Sequence, residues 1–209
     1  MLTILHHLGL GDHIICNGLI RYYANTNQIK TFCKNKNHIN ISQMYSDNNN
    51  IIIQPVDNNI NPNNIQLEKP YLKIGFEHLQ SLNRWDKAFY DQINLDFQAS
   101  WELFKINRNI DKENEVYEHL NPENKPYIFV HDTSIGQSVP KLNLDGFIIR
   151  PEKYGFFDYL KIIENAAEIH CVNSSYVHLV DRVKTNGKLF YHSNKQPIDL
   201  ITLRKDWII

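Results

Sequence analysis

The stretch "ILHHLGLGDHIICNGLIRYY", residues 4–23, decides how the chain is read. An apolar run from Leu2 to Leu8 stops at Gly9, which is the form of a buried strand. From Ile14 onward, Ile15, Leu19, Ile20, Tyr22 and Tyr23 recur at helical spacing, so a helix follows. Gly9, Leu10, Gly11, Asp12 and His13 make the turn between them. Three readings of that turn compete: a plain turn with Asp12 capping a helix that starts at His13, a phosphate cradle, or a catalytic acid or base shown at a strand end. Gly9 and Gly11 supply G-x-G, but Ile14 stands at the third glycine position of the dinucleotide fingerprint, and no Walker lysine follows.

The same strand-then-helix alternation continues outward. "IKTFCK" and "NIIIQPV" read as strands around a short helix in "HINISQMYS", "DNNINPNNIQ" as a loop, and "YLKIGF" as a fourth strand. "RWDKAFYDQINL" and "QASWELFKI" are helical and rich in aromatics, which suits packing between lobes or stacking on a glycan. "NPENKP", residues 121–126, holds two prolines and no large apolar side chain and reads as a linker. After it come a strand "YIFVH", a loop, a strand "GFIIR", a helix in "GFFDYLKIIENA", a strand "EIHCV", a helix "SSYVHLVDRV", a strand "KLFYHS" and a helical terminal segment "PIDLITLRKDWI". The fold class is therefore α/β: two Rossmann-like lobes, 1–120 and 121–209, with mostly parallel sheets and flanking helices. In such lobes ligands bind at the carboxyl ends of the strands.

Composition narrows the function. The chain has 209 residues, a net charge of −1 and 42% hydrophobic residues, so it builds real cores but offers no broad basic field to nucleic acid or anionic membrane. The opening lacks a signal-peptide pattern, and no apolar run reaches the ~18 residues of a spanning helix. Cys16, Cys33 and Cys171 are an odd count without a CxxC pair, which fits reduced thiols in the cytoplasm.

Three further stretches carry chemistry. In "CVNSSYVHLVDRV", a strand runs into Asn173, Ser174 and Ser175 and then a helix, with His178 one turn in. A capped helix with a core histidine explains this, and so does a diphosphate site at the helix N-terminus. In "FVHDTS", Thr133 and Ser134 end a strand and can donate hydrogen bonds to phosphate, with Lys141 nearby; a simple polar turn also fits. Arg150, stopped by Pro151, suits either a phosphate or an internal carboxylate such as Glu152. His6 and His7 face opposite sides of a strand, so at most one can join His13. With no HExxH, cysteine cluster or DxD, no metal site is expected.

Taken together, "LGLGDHIICNGLIRYY" and "ENAAEIHCVNSSYVHLVDRV" resemble the two signatures of the heptosyltransferase-type glycosyltransferases of family nine. The resemblance implies a reduced version of the GT-B fold that needs no metal or cofactor and binds a nucleotide-diphosphate sugar. It implies that Asp12 is the general base, with Gly11, His13 and His7 on the acceptor side. It places Thr133, Ser134, Asn173, Ser174, Ser175 and His178, with Arg150, around the donor. Asn173 stands where the family has Asp, and Ser175 where it has Gly. The implied partners are a nucleotide-sugar donor and a glycan or lipid-linked glycan acceptor. Two other readings stay open: a non-catalytic nucleotide-sugar binding module, and a nucleotide-sugar epimerase, for which Asp132 is the second carboxylate in view.

Overall fold

The computed structural model describes residues 1–76, 84–133, 141–193 and 200–209. The chain forms two compact units, Met1–Asn107 with Asp199–Thr202 and Arg108–Ile198 with Leu203–Ile209. Each holds one all-parallel sheet.

In the first unit, β1 (Leu2–Leu5), β2 (Ile29–Lys34), β3 (Ile51–Val56) and β4 (Tyr71–Lys73) lie in the order β3-β2-β1-β4. Their helices are α1 (Leu10–Ile15), α2 (Asn17–Ala24), α3 (His38–Tyr45), α4 (Trp85–Asp91) and α5 (Ala99–Glu102). Ile4, Leu5, Ile14, Ile15, Leu19 and Ile20 have no exposed surface. Each contributes about 1.5–3 kcal/mol by leaving water.

The expected first helix is two helices broken at Cys16. The break is held from far along the chain: Tyr90 Oη donates to the Ile15 carbonyl at 2.7 Å and accepts the Leu19 N–H at 3.2 Å, and Ser100 Oγ donates to the same carbonyl at 3.0 Å. The aromatic stretch thus packs into this unit's own core, where Phe89 and Tyr90 are fully buried.

In the second unit, β5 (Ile128–His131), β6 (Ile148–Ile149), β7 (Glu168–Cys171), β8 (Lys188–Tyr191) and β9 (Trp207–Ile208) lie in the order β6-β5-β7-β8-β9. Helices α6 (Ile110–Leu120), α7 (Leu160–Asn165) and α8 (Ser175–Arg182) flank them. The units divide at Asn107/Arg108 rather than near residue 121. Arg108 pairs with Glu113 on α6 and, at 2.6 Å, with Glu164 on α7, and Val116 of α6 is fully buried, so α6 is tied to the second sheet's helices. The expected terminal helix is corrected over its described part: Trp207–Ile208 pairs in parallel with Leu189–Phe190 as an edge strand. Asp181 fixes this strand by accepting the backbone N–H groups of Arg204 and Lys205 and the indole N–H of Trp207.

Strand order marks where ligands can sit. In the first sheet the winding reverses beside β1, and in the second between β5 and β7. The crevice outside the carboxyl ends of the strands at such a switch point is the usual binding place in open parallel sheets. The loops concerned are residues 6–12 in the first unit, and 131–133 and 172–174 in the second. No helix among the described residues is long and apolar enough to cross a membrane.

Candidate functional site

At the first switch point α1 begins earlier than the sequence indicates. Gly9 is its N-cap, with φ −72° and ψ 151°, and Asp12 is the third helical residue. Asp12 therefore does not cap from outside. Its Oδ2 reaches back and accepts the Gly9 N–H at 3.0 Å. A Cβ on Gly9 would sit 2.5 Å from that oxygen, so glycine is what lets the carboxylate fold back. Asp12 is partly exposed, yet burial of its carboxyl pushes its pKa up to about 6, against the pull of His7 and of the Gly9 and Asp12 N–H groups. A carboxylate poised there takes a proton near neutral pH more readily than an ordinary aspartate.

His7 is half-buried, edge-on to Phe76 at 5.0 Å and Phe89 at 5.4 Å. Gly11 is partly exposed in the first turn of α1. His13 is placed otherwise than on an acceptor face. It has no exposed surface, and its ring meets the buried His6 edge-on at 4.6 Å. Neither of its ring nitrogens has a hydrogen-bond partner among the described residues. Burial holds His6 down at about 4 and His13 well below the usual range. Both are neutral core rings.

At the second switch point a residue that sequence reasoning passed over joins the expected ones. His131, the last residue of β5, lies with Nδ1 2.9 Å from Ser174 Oγ and Nε2 3.2 Å from Thr133 Oγ1. Its ring leans on Tyr176 of α8 at 4.5 Å. Burial lowers it to about 4, against the charge of Asp132, so the ring is neutral and has one N–H. One hydroxyl must then donate to the bare nitrogen, while the other accepts the ring N–H and keeps its own O–H to donate outward. Ser174 is the N-cap of α8 but makes no side-chain cap, because its hydroxyl is turned to His131. The cluster thus offers a hydroxyl donor beside the positive end of an eight-residue helix, an arrangement suited to an anion.

The other expected donor residues fall in different places. Asn173 and Ser175 are half-buried on either side of Ser174. His178 is buried one turn into α8, and burial, followed by Arg182, lowers it to about 3; it is a core ring rather than a surface ligand. Arg150 meets an internal carboxylate, but that of Asp132, just past the end of the neighbouring strand β5, rather than Glu152. Nη2 lies 3.0 Å from Asp132 Oδ2 and also donates to the Leu142 carbonyl at 2.9 Å. Burial alone would raise Asp132, but Arg150 and the Leu142 N–H outweigh it and hold the carboxyl below its usual value. Ser134 lies outside the described residues. Among the described residues no cluster of three or more His, Cys, Asp or Glu is arranged to hold a metal ion.

Two parallel α/β units, each with polar side chains at the carboxyl edge of its switch point, define a GT-B-like architecture. The chain is similar over 99% of its length to 85% of the crystal structure of the glycosyl transferase family 9 from Veillonella parvula DSM 2008, with a TM-score of 0.66 and 8% identity. No family model matches the chain, and no curated protein matches it in sequence. At that identity the likeness establishes the fold.

Proposed function

We propose that the protein is a metal-independent glycosyltransferase that moves a sugar from a nucleotide-diphosphate donor to a hydroxyl of a glycan or lipid-linked glycan. The observation that carries this reading is Asp12: a carboxylate at the switch point of the first sheet, anchored by the Gly9 N–H and raised to about 6. Asp12 takes the proton of the acceptor hydroxyl as its oxygen bonds to the anomeric carbon. The bond from that carbon to the diphosphate oxygen breaks, and the electron pair leaves with the diphosphate. The outward hydroxyl of the Thr133–His131–Ser174 cluster and the N-terminus of α8 stabilise that growing negative charge, a task a metal performs elsewhere. His7 and Gly11 flank the base on the acceptor side. The three cysteines are buried and form no disulfide, which suits the cytoplasm.

A binding module without catalysis is the second reading, favoured by the engagement of Arg150 with Asp132. The same pair weakens the epimerase reading, since it occupies the second carboxylate. A thermal-shift panel of nucleoside diphosphates and their sugars, with and without EDTA, tests the proposal. Saturation at a hundredfold excess over Kd stabilises by about 2.7 kcal/mol, which raises Tm by several degrees. One nucleotide sugar should act selectively and ignore EDTA. A flat panel refutes the reading.

A further inference from the structure

The second unit carries a polar array that the cluster described above does not use. His170 Nε2 lies 3.2 Å from Glu168 Oε2, and His170 Nδ1 lies 2.8 Å from His192 Nε2. The His170 ring is stacked on Phe190, its cross-strand neighbour, at 4.4 Å and 11°, and on His192 at 5.1 Å and 17°. Glu168 and His170 alternate onto one face of β7, and His192 follows two residues after Phe190 onto the same face. The three side chains therefore run in a line up the sheet to its carboxyl edge.

The chemistry of the donors gives that line a direction. A carboxylate only accepts, so His170 Nε2 carries the proton that Glu168 receives. With one ring proton, on Nε2, His170 is an acceptor at Nδ1, and His192 Nε2 then carries the proton of their shared bond. What remains is His192 Nδ1 with a bare lone pair, and no described residue hydrogen-bonds to it. Such a lone pair welcomes an O–H or N–H donor and repels a phosphate oxygen.

Position completes the case. His131, Cys171 and Tyr191 stand in register across β5, β7 and β8, so Asp132, Val172 and His192 form the next row. The ends of β5 and β8 are two strand spacings apart, about 10 Å, and His192 faces the side of the sheet opposite to His131, so a ligand that touches both lies across the carboxyl edge of the sheet. The groups facing His192 are His170 with Glu168 behind it, and Asp132, itself held by Arg150. Burial and then His170 lower the pKa of His192 while Asp132 raises it, and the net effect favours the neutral ring.

We propose that His192 is a specificity-determining residue whose Nδ1 accepts a hydrogen bond from a hydroxyl of the donor's sugar or ribose, with His170 and Glu168 as the positioning residues that fix its tautomer. This rests on the nucleotide-sugar reading. The test is a long-range proton–nitrogen NMR correlation on the full chain at pH 8, before and after addition of UDP-glucose, GDP-mannose or ADP-glucose, with Kd from calorimetry. The free protein should show His192 protonated at Nε2, and His170→Phe should convert it to a mixture of tautomers. A nucleotide sugar that binds should shift the Nδ1 resonance. His192→Phe, which keeps the stack on His170, should weaken that sugar about 3- to 10-fold, the effect of one lost hydrogen bond, and leave inorganic pyrophosphate unchanged. His192 protonated at Nδ1 in the free protein overturns the array. A nucleotide sugar that binds while Nδ1 and the His192→Phe Kd stay unmoved overturns the ligand contact. Absence of binding by every sugar overturns the donor reading together with this one, and the wild-type spectra tell these failures apart without any variant.

Discussion

Gly9→Ala isolates the placement of the Asp12 carboxylate from the stability of the fold. The backbone at Gly9, φ −72° and ψ 151°, is open to any residue, so alanine adds no strain there. The new Cβ would nevertheless fall 2.5 Å from Asp12 Oδ2, closer than carbon and oxygen approach without a bond. A flexible carboxylate yields first, rotating away and losing the 3.0 Å bond from the Gly9 N–H. The lost cap costs about 0.5–2 kcal/mol, and the stiffer unfolded chain returns about 0.4–1 kcal/mol. Stability should therefore change by about 1 kcal/mol or less, a Tm shift of roughly 2–4 °C. Catalysis should suffer more. A base displaced by an ångström loses turnover by about 10²-fold. Out of its buried position Asp12 also returns toward an ordinary aspartate pKa, so the acid limb of the rate profile should move from about 6 to lower pH. The assay is kcat against pH with the donor at saturation, alongside Tm. An unchanged acid limb with unchanged kcat would refute the anchored-carboxylate argument.

Acidification tests the buried histidines: His6, His13 and His178 are held neutral by burial, so between pH 6.5 and about 4 the unfolded chain binds protons that the native one refuses. Each costs about 1.4 kcal/mol per pH unit, and the raised Asp12, of opposite sign, offsets only a small part; Tm should fall by roughly 10 °C from pH 6.5 to 5.5, and a flat Tm over that range would exclude neutral buried rings. Gly18→Ala places a Cβ 2.1 Å from the Ala99 carbonyl oxygen, where α2 meets α5. Since backbone cannot rotate aside, a loss of about 1–3 kcal/mol is expected in urea unfolding, and wild-type stability would show that this contact is looser than described.

Much of the fold is legible because parallel strands covered on both faces leave apolar runs that end at turn residues, as "LTIL", "IKTFCK" and "EIHC" do. What was hidden depends on distant partners. The break at Cys16 is stabilised by Tyr90 and Ser100, more than 70 positions away, and no local pattern announces it. Asp12 reads as an N-cap because Leu10 and Gly11 carry no helix-start signal, yet they already form the first turn. Arg150 finds Asp132 because β5 and β6 are neighbours, a fact of strand order rather than of sequence proximity. His131 and His192 look unremarkable in a chain with ten histidines. Only the register of β5, β7 and β8 brings them to one sheet edge. The edge strand at Trp207–Ile208 is too short to show a period of its own.

The most direct measurement is sugar transfer by the wild type and by Asp12→Asn in EDTA, with donor Kd measured on both. If Asp12 is the base, Asp12→Asn lowers turnover about 10²–10⁴-fold while donor Kd stays within about twofold, because the proposed donor site is in the second unit. Turnover in Asp12→Asn equal to wild type would remove Asp12 from the chemistry and contradict the proposed mechanism.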